Sequence, residues 1–132
     1  MTNNIIEEDI VTIANDIKED VTVLNGKTIL ITGGAGFLGN YFLRTLDYLN
    51  KNVLQTPCKI ISMDNFITGT PYHVEEGPNF KAIEHNIKDP IKFDEDIHFI
   101  LHAAGIASPK FYRDFKIETI DVATLGTKHM LE

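Results

Sequence analysis

The chain has 132 residues, 43% of them hydrophobic and 23% charged, with a formal net charge of −7. That length suits a single domain burying roughly two-thirds of its unfolded surface, and the ordinary apolar content excludes a disordered chain. Lys and Arg total 12 against 19 Asp and Glu, which argues against a nucleic-acid partner; the lone Cys58 excludes an intramolecular disulfide or a cysteine-based zinc site; and no apolar run approaches the ~18 residues of a membrane span.

The N-terminal stretch has neither a basic start nor an apolar leader core, so a cytoplasmic protein is expected. Across residues 3–24, Ile6, Ile10, Ile13, Ile17, Val21 and Leu24 recur in steps of three and four, with Glu7, Glu8, Asp9 and Asp16 mostly off that stripe. This period predicts an amphipathic N-terminal helix over 1–25, either lying on the domain surface or docking a partner chain. Asn25-Gly26 breaks the pattern. Lys27–Thr32 is then a short, continuously apolar β-type run, the pattern of a strand covered on both faces. After a glycine-rich turn, Phe37, Leu38, Tyr41, Phe42, Leu46 and Leu49 predict an amphipathic helix to about Asn50. Cys58 stands at the entry to a second strand, Lys59–Met63, and reads as a packed, inert thiol. A long polar loop over 64–79 leads to a third strand, Phe80–Glu84, and Ile97–Leu101 is a fourth. Ile117, Ile120, Leu125 and Met130 give one face of a last helix. Strands alternating with helices predict an α/β fold with an open parallel sheet.

The most informative stretch is Thr32-Gly33-Gly34-Ala35-Gly36-Phe37-Leu38-Gly39. It satisfies G-x-G-x-x-G through Gly34, Gly36 and Gly39, and T-G-x-x-G-x-x-G through Thr32, Gly33, Gly36 and Gly39. One glycine turns the chain off the strand, one lets backbone approach a pyrophosphate, and Gly39 lets helix and strand pack closely. A diphosphate would lie at the helix N-terminus, where free amides and the dipole favour negative charge. The motif follows a predicted strand and opens a predicted helix, which is the context it requires. No Gly-Lys-Ser/Thr follows, so this is not a P-loop. The second strand ends at Met63-Asp64, and an acidic residue there can accept both hydroxyls of an adenosine ribose. Asp64 lies well beyond the usual ~20 residues from the turn, an excess that the connection around Lys51–Pro57 accommodates. Its charge would repel a 2′-phosphate, and the glycine turn holds no Lys or Arg, so NAD is favoured over NADP. A loop residue capping its own backbone is the alternative reading of Asp64.

With these residues in hand, the chain resembles the extended short-chain dehydrogenase/reductases, in the nucleotide-sugar branch that holds the NAD-dependent epimerases, dehydratases and UDP-glucuronate decarboxylases. The matching pieces are Thr32–Gly39, then Met63-Asp64-Asn65-Phe66-Ile67-Thr68-Gly69, then Leu101–Pro109, and Leu125-Gly126-Thr127, in the family's order. The resemblance covers about 26–132 and implies a Rossmann-like parallel sheet, four strands of it expected here and thus incomplete, with flanking helices. It implies NAD as cofactor. Gly33, Gly36, Phe37 and Leu38 would surround the pyrophosphate, and Asp64, Asn65, Phe66, Thr68 and Gly69 the adenosine ribose. Asn86 and Ile87 stand where the family places an Asp and an aliphatic residue around adenine; Asn86 would have to accept from the adenine amino group. Ala103 and Ala104 would let the cofactor run close over the fourth strand, and Ser108 would face the nicotinamide and substrate. Two further departures are Thr70, where relatives often carry a basic residue, and Ala123, where they often carry an Asn.

The family's catalytic Tyr-x-x-x-Lys lies on a strand and helix beyond Glu132. The Tyr112–Lys116 pair has the spacing but falls in the loop after the fourth strand, so it reads as a surface coincidence. The expectation is therefore the NAD-binding portion of a nucleotide-sugar enzyme, ending before its catalytic segment, itself inactive, with a nucleotide-sugar substrate for the parent and a possible homodimer. The open alternatives are a non-catalytic NAD-binding module completed by a partner chain, and an oxidoreductase acting on a non-sugar substrate. The five histidines show no metal spacing, and Asp94-Glu95-Asp96 reads as a solvated loop.

Overall fold

The apolar run after Asn25-Gly26 forms β1 (Thr28–Thr32), every residue of which is buried. It lies at the centre of a sheet with β2 (Lys59–Asp64), β3 (Phe80–Glu84) and β4 (Phe99–His102), in the order β3-β2-β1-β4. The structure is a computed structural model that describes residues 2–132. All three pairings are parallel, with Leu30 opposite Ile61 on one side and Ile100 on the other. The strand order reverses direction between β1 and β4, creating the crevice at the strands' carboxyl ends where ligands of such sheets bind.

Successive side chains point to opposite faces; at β1 and β2 both faces are covered, whereas β4 leaves Phe99 and Ile100 exposed. Ile29, Ile31 and Ile60 join Leu43, Leu46 and Leu49 of α2 (Phe37–Asn52) and Ala14 of α1 (Thr2–Ile17) in one cluster. Leu30, Ile61 and Met63 join Ile87 and Val122 on the other face. This explains why the strand pattern is continuous rather than alternating. Cys58 is buried in the first cluster, and Asn50 brackets its backbone through Nδ2 to Cys58 O and Cys58 N to Oδ1, both at 2.8 Å. Burial pushes its thiol pKa up, so it stays protonated.

Several expectations shift, the fourth strand first: it spans Phe99–His102 rather than Ile97–Leu101, and His98 N–H instead closes onto Thr28 O. The N-terminal helix ends at Ile17, not near residue 24: Asp20 N–H closes a turn on Ile17 O, and a 3₁₀ turn, Val21–Leu24, follows. The β-branched run Val21-Thr22-Val23 disfavours α-helix, and the turn re-aims Val21 into the core. Within α1 the buried line is Ile10 and Ala14, while Ile13 is exposed. On α2 the buried line is Leu43, Leu46 and Leu49, whereas Phe37 and Leu38 are 79% and 62% exposed. These two and Phe42 line an apolar groove with Ile13, Ile17, Val21 and Leu24 beside Leu101. After β4 come α3 (Pro109–Asp114), α4 (Lys116–Asp121), a π turn (Val122–Gly126) and α5 (Thr127–Leu131). The last helix is thus interrupted where Gly126 meets Ile87; a Cβ on Gly126 would fall 2.5 Å from Ile87 Cδ1. No helix among the described residues is long and apolar enough to cross a membrane.

Candidate functional site

The turn from β1 into α2 is built by backbone contacts that exclude side chains. Gly33 adopts φ +70°, a left-handed conformation natural to glycine, and its N–H donates to Met63 O at 2.8 Å. A Cβ there would lie 2.7 Å from Ala103 O and from the Ala104 backbone. At Gly39 a Cβ would fall 2.0 Å from Gly33 O, so the first turn of α2 rests directly on the loop. Gly36 precedes α2 in extended conformation, and Asn40 N–H is the amide that bonds back to it, at 2.9 Å. The amides of Phe37, Leu38 and Gly39 belong to the helix's opening turn, which lacks intrahelical acceptors. That end has no side-chain cap and no acidic residue in its first turn, so its partial positive charge is not internally neutralised.

Asp64 connects the turn to the next loop. Its Oδ2 accepts Ala35 N–H at 2.9 Å and its Oδ1 accepts Phe66 N–H at 2.8 Å. The backbone-capping reading therefore describes one of its roles, and each oxygen keeps a further lone pair for a ligand hydroxyl. The loop after β2 is pinned from several directions. Asn65 Oδ1 accepts Ile67 N–H at 3.2 Å, Thr70 N–H donates to Ala35 O at 2.9 Å, and Phe66, at φ 57°, packs edge-on to Tyr72. Tyr72 in turn receives the Ser62 hydroxyl at 3.0 Å, and burial raises its phenol pKa despite that bond.

One cavity gathers Gly33, Gly36, Asp64, Asn65, Thr68, Asn86, Ile87, Ala103 and Ala104 at the carboxyl ends of β1, β2 and β4. The remaining expected residues stand outside its lining. Phe37 and Leu38 turn their side chains to the apolar groove on the α1 side, so only their backbone is placed for an anion. Phe66 is taken up by Tyr72, and Gly69 lies against Ala35, where a Cβ would be 2.7 Å from Ala35 Cβ. Ser108 is exposed at the start of α3. Asn86 Oδ1 accepts Lys88 N–H at 3.2 Å, so the end of its amide left for a ligand is chiefly the Nδ2 donor rather than the acceptor. Tyr112 and Lys116 fall on different helices, separated by Phe115 at φ −114°, ψ 58°. The lining also includes His85, Gly105, Ile106, Glu118 and Val122. Glu118 and Val122 arrive from a helix that folds back over the cavity, which no local motif announces. Among the described residues no group of three His, Cys, Asp or Glu is arranged to hold a metal.

The model of the NAD dependent epimerase/dehydratase family matches residues 29–132. The chain belongs to that family. Among relatives, this epimerase/dehydratase member is 35% identical over 106 residues to UDP-glucuronic acid decarboxylase 6 of Arabidopsis thaliana, covering 78% of the chain and 29% of the relative. It is 36% identical over 108 residues to UDP-glucuronic acid decarboxylase 1 of Danio rerio, covering 80% and 24%. The chain thus spans less than a third of the length of these relatives. In architecture it is similar to the epimerase Mth375 of Methanothermobacter thermautotrophicus, with a TM-score of 0.70 at 22% identity over 87% of the chain and 33% of that structure. It is also similar to DesIV, a dTDP-glucose 4,6-dehydratase of Streptomyces venezuelae solved with NAD and TYD bound, with a TM-score of 0.63 at 20% identity over 79% and 34%. At these identities the structural likeness is one of fold.

Proposed function

We propose that this chain is the NAD-binding portion of a nucleotide-sugar epimerase, dehydratase or decarboxylase that works by transient hydride transfer. The observation that carries the reading is the joining of the glycine turn to Asp64 at the mouth of a parallel sheet, in a chain of the epimerase/dehydratase family. The residues fit the cofactor. Gly33 and Gly36 leave room for a diphosphate, and the backbone amides of Phe37 and Leu38 supply donors with the helix dipole behind them. Asp64 holds the adenosine ribose through its spare lone pairs, with Asn65, Phe66, Thr68 and Gly69 shaping the loop around it. Its negative charge disfavours a 2′-phosphate, so NAD is the cofactor rather than NADP. Asn86 and Ile87 flank adenine. Ala103 and Ala104 let the nicotinamide half pass close to the backbone, whereas Ser108, exposed before α3 and outside the cavity lining, is left to meet the sugar rather than the cofactor.

Bound in this cavity, NAD would supply reversible hydride exchange with a sugar carbon. This chain's own part is to bind, orient and fix the ribose; with Tyr112 and Lys116 on separate helices, these residues on this reading supply cofactor binding and no catalytic base. Calorimetric titration tests the reading. NAD should bind, NADP should bind more weakly, and Asp64→Ala should lose most of the NAD affinity. Absence of NAD binding to the unaltered chain, or an affinity unchanged in Asp64→Ala, overturns it.

A further inference from the structure

We propose that His102 is a positioning residue, held as the neutral tautomer protonated on Nε2, which aligns the Thr32 hydroxyl to accept the Ala104 amide and thereby sets one wall of the cavity. Its consequence for affinity rests on the NAD reading above; the tautomer and the amide bond do not.

Thr32 and His102 are the last residues of β1 and β4 and stand opposite each other in the sheet. Three polar contacts run through them, and a fourth continues the chain beyond Thr127. Ala104 N–H donates to Thr32 Oγ1 at 3.3 Å, and Thr32 Oγ1 lies 2.7 Å from His102 Nδ1. His102 Nε2 lies 3.2 Å from Thr127 Oγ1, which donates to Ala123 O at 2.8 Å.

Each hydroxyl has a single proton, and that count fixes the direction of every bond. Thr32 Oγ1 accepts the Ala104 amide and has His102 Nδ1 as the partner for its own proton, so Nδ1 accepts and Nε2 carries hydrogen. Thr127 accepts from Nε2 while donating to Ala123 O. The opposite tautomer would require Thr127 to give its proton to Nε2 and abandon Ala123 O. It would also leave the Thr32 proton without an acceptor at a residue that is 0% exposed. A protonated ring meets the same difficulty at Thr32, and partial burial lowers the His102 pKa in agreement.

The wall matters because Gly33 rests on it. A Cβ on Gly33 would be 2.7 Å from Ala104 N and Cα, so the turn and the wall are in close backbone contact and the position of Ala104 sets the space beside the first glycine. Through Thr127 the same imidazole ties the wall to α5, the continuation of the π turn that brings Val122 to the cavity.

Three chains test this: unaltered, His102→Asn and His102→Leu. Asparagine retains an oxygen acceptor near the position of Nδ1, and leucine retains none. Nitrogen NMR of the unaltered chain should show His102 protonated on Nε2 only, a measurement that needs no variant to fold. Hydrogen exchange at the Ala104 amide should be slow in the unaltered and Asn chains and at least about tenfold faster in the Leu chain, the equivalent of one net hydrogen bond. NAD affinity should fall by about the same factor in His102→Leu and recover in His102→Asn. A proton on Nδ1, or equal Ala104 exchange in all three chains, overturns the proposal. If the unaltered chain binds no NAD, the cofactor reading fails, and the tautomer and exchange results still decide the role of His102.

Discussion

Replacing Gly34 by alanine isolates one contact between the glycine turn and the sheet below it. A Cβ at Gly34 would lie 1.8 Å from Ser62 Oγ and 3.1 Å from Ser62 Cβ. Ser62 is wholly buried in β2 and its hydroxyl donates to Tyr72, so the oxygen has little room to move. Overpacking of this kind costs about 1–3 kcal/mol. Ser62→Ala alone gives up roughly one net hydrogen bond, about 1 kcal/mol, since half-buried Tyr72 can turn to water. In the double variant the 1.8 Å clash is gone and the nearest atom is the 3.1 Å carbon, which a shift of a few tenths of an ångström relieves. The pair should therefore be about 1–2 kcal/mol more stable than the sum of its parts, beyond the ~0.5 kcal/mol scatter of independent sites. Urea unfolding of the four chains at constant m value measures that coupling. Additive losses would show that the turn does not press on Ser62 and would refute the packing account. No such rescue is open to Gly39→Ala, because the atom in its way is the carbonyl oxygen of Gly33.

Cys58 is wholly buried with its thiol pKa raised by burial, so a thiol reagent should label it at the rate of unfolding; rapid labelling of the native chain would contradict its place in the core. His102 binds its proton less readily when folded than when unfolded, because burial disfavours the cation. It therefore contributes stability that is complete above its ordinary 6.5 and is lost as pH falls below that value through the folded one. The urea midpoint should fall more steeply from about pH 7 to about pH 5 in the unaltered chain than in His102→Asn, and equal slopes would argue against the assignment. Ala14 is wholly enclosed between α1 and the core, so Ala14→Leu should cost about 1–3 kcal/mol. Ile13→Gln, one residue earlier on the exposed side, should stay within about 0.5 kcal/mol; equal losses at both positions would mean that α1 is rotated.

The strands and the glycine turn were legible because their signals are local. Ile29-Leu30-Ile31 can be continuously apolar only if both sheet faces are covered, and a strand followed by closely spaced glycines and a helical period admits few other turns. The helix faces were harder to read. Periodicity alone groups Phe37, Leu38 and Phe42 with Leu46 and Leu49, yet the sheet lies under Leu43, Leu46 and Leu49. The earlier residues overhang the groove beside Leu101. A stripe records which side chains are apolar and not where the sheet ends. The break at Ile17 was visible in principle, since Val21-Thr22-Val23 is poor helix sequence, but the wider period masked it. Glu118 and Val122 reach the cavity only because the chain after β4 folds back across Ile87. That is a tertiary fact with no spacing rule behind it.

Asp64 has a structural task that its position at the end of β2 does not announce. An acid at the end of β2 was singled out for what it could offer a ribose. In the folded chain its two oxygens first take up the amides of Ala35 and Phe66, and Thr70 N–H closes the same loops through Ala35 O. The glycine turn and the loop after β2 are thus joined before any ligand arrives, and less ordering is left for binding to bring about. On the proposed reading, Asp64→Ala removes two things at once, an acceptor for the ribose and the brace between the loops. Asp64→Asn separates them. Its single carbonyl oxygen can keep one amide, its NH₂ can donate but cannot replace the other acceptor, and the charge that repels a 2′-phosphate is gone. If that charge selects between the cofactors, Asp64→Asn should narrow the gap between NAD and NADP while weakening both through the loosened brace. A gap left at its original width would assign cofactor choice to the shape of the loop instead.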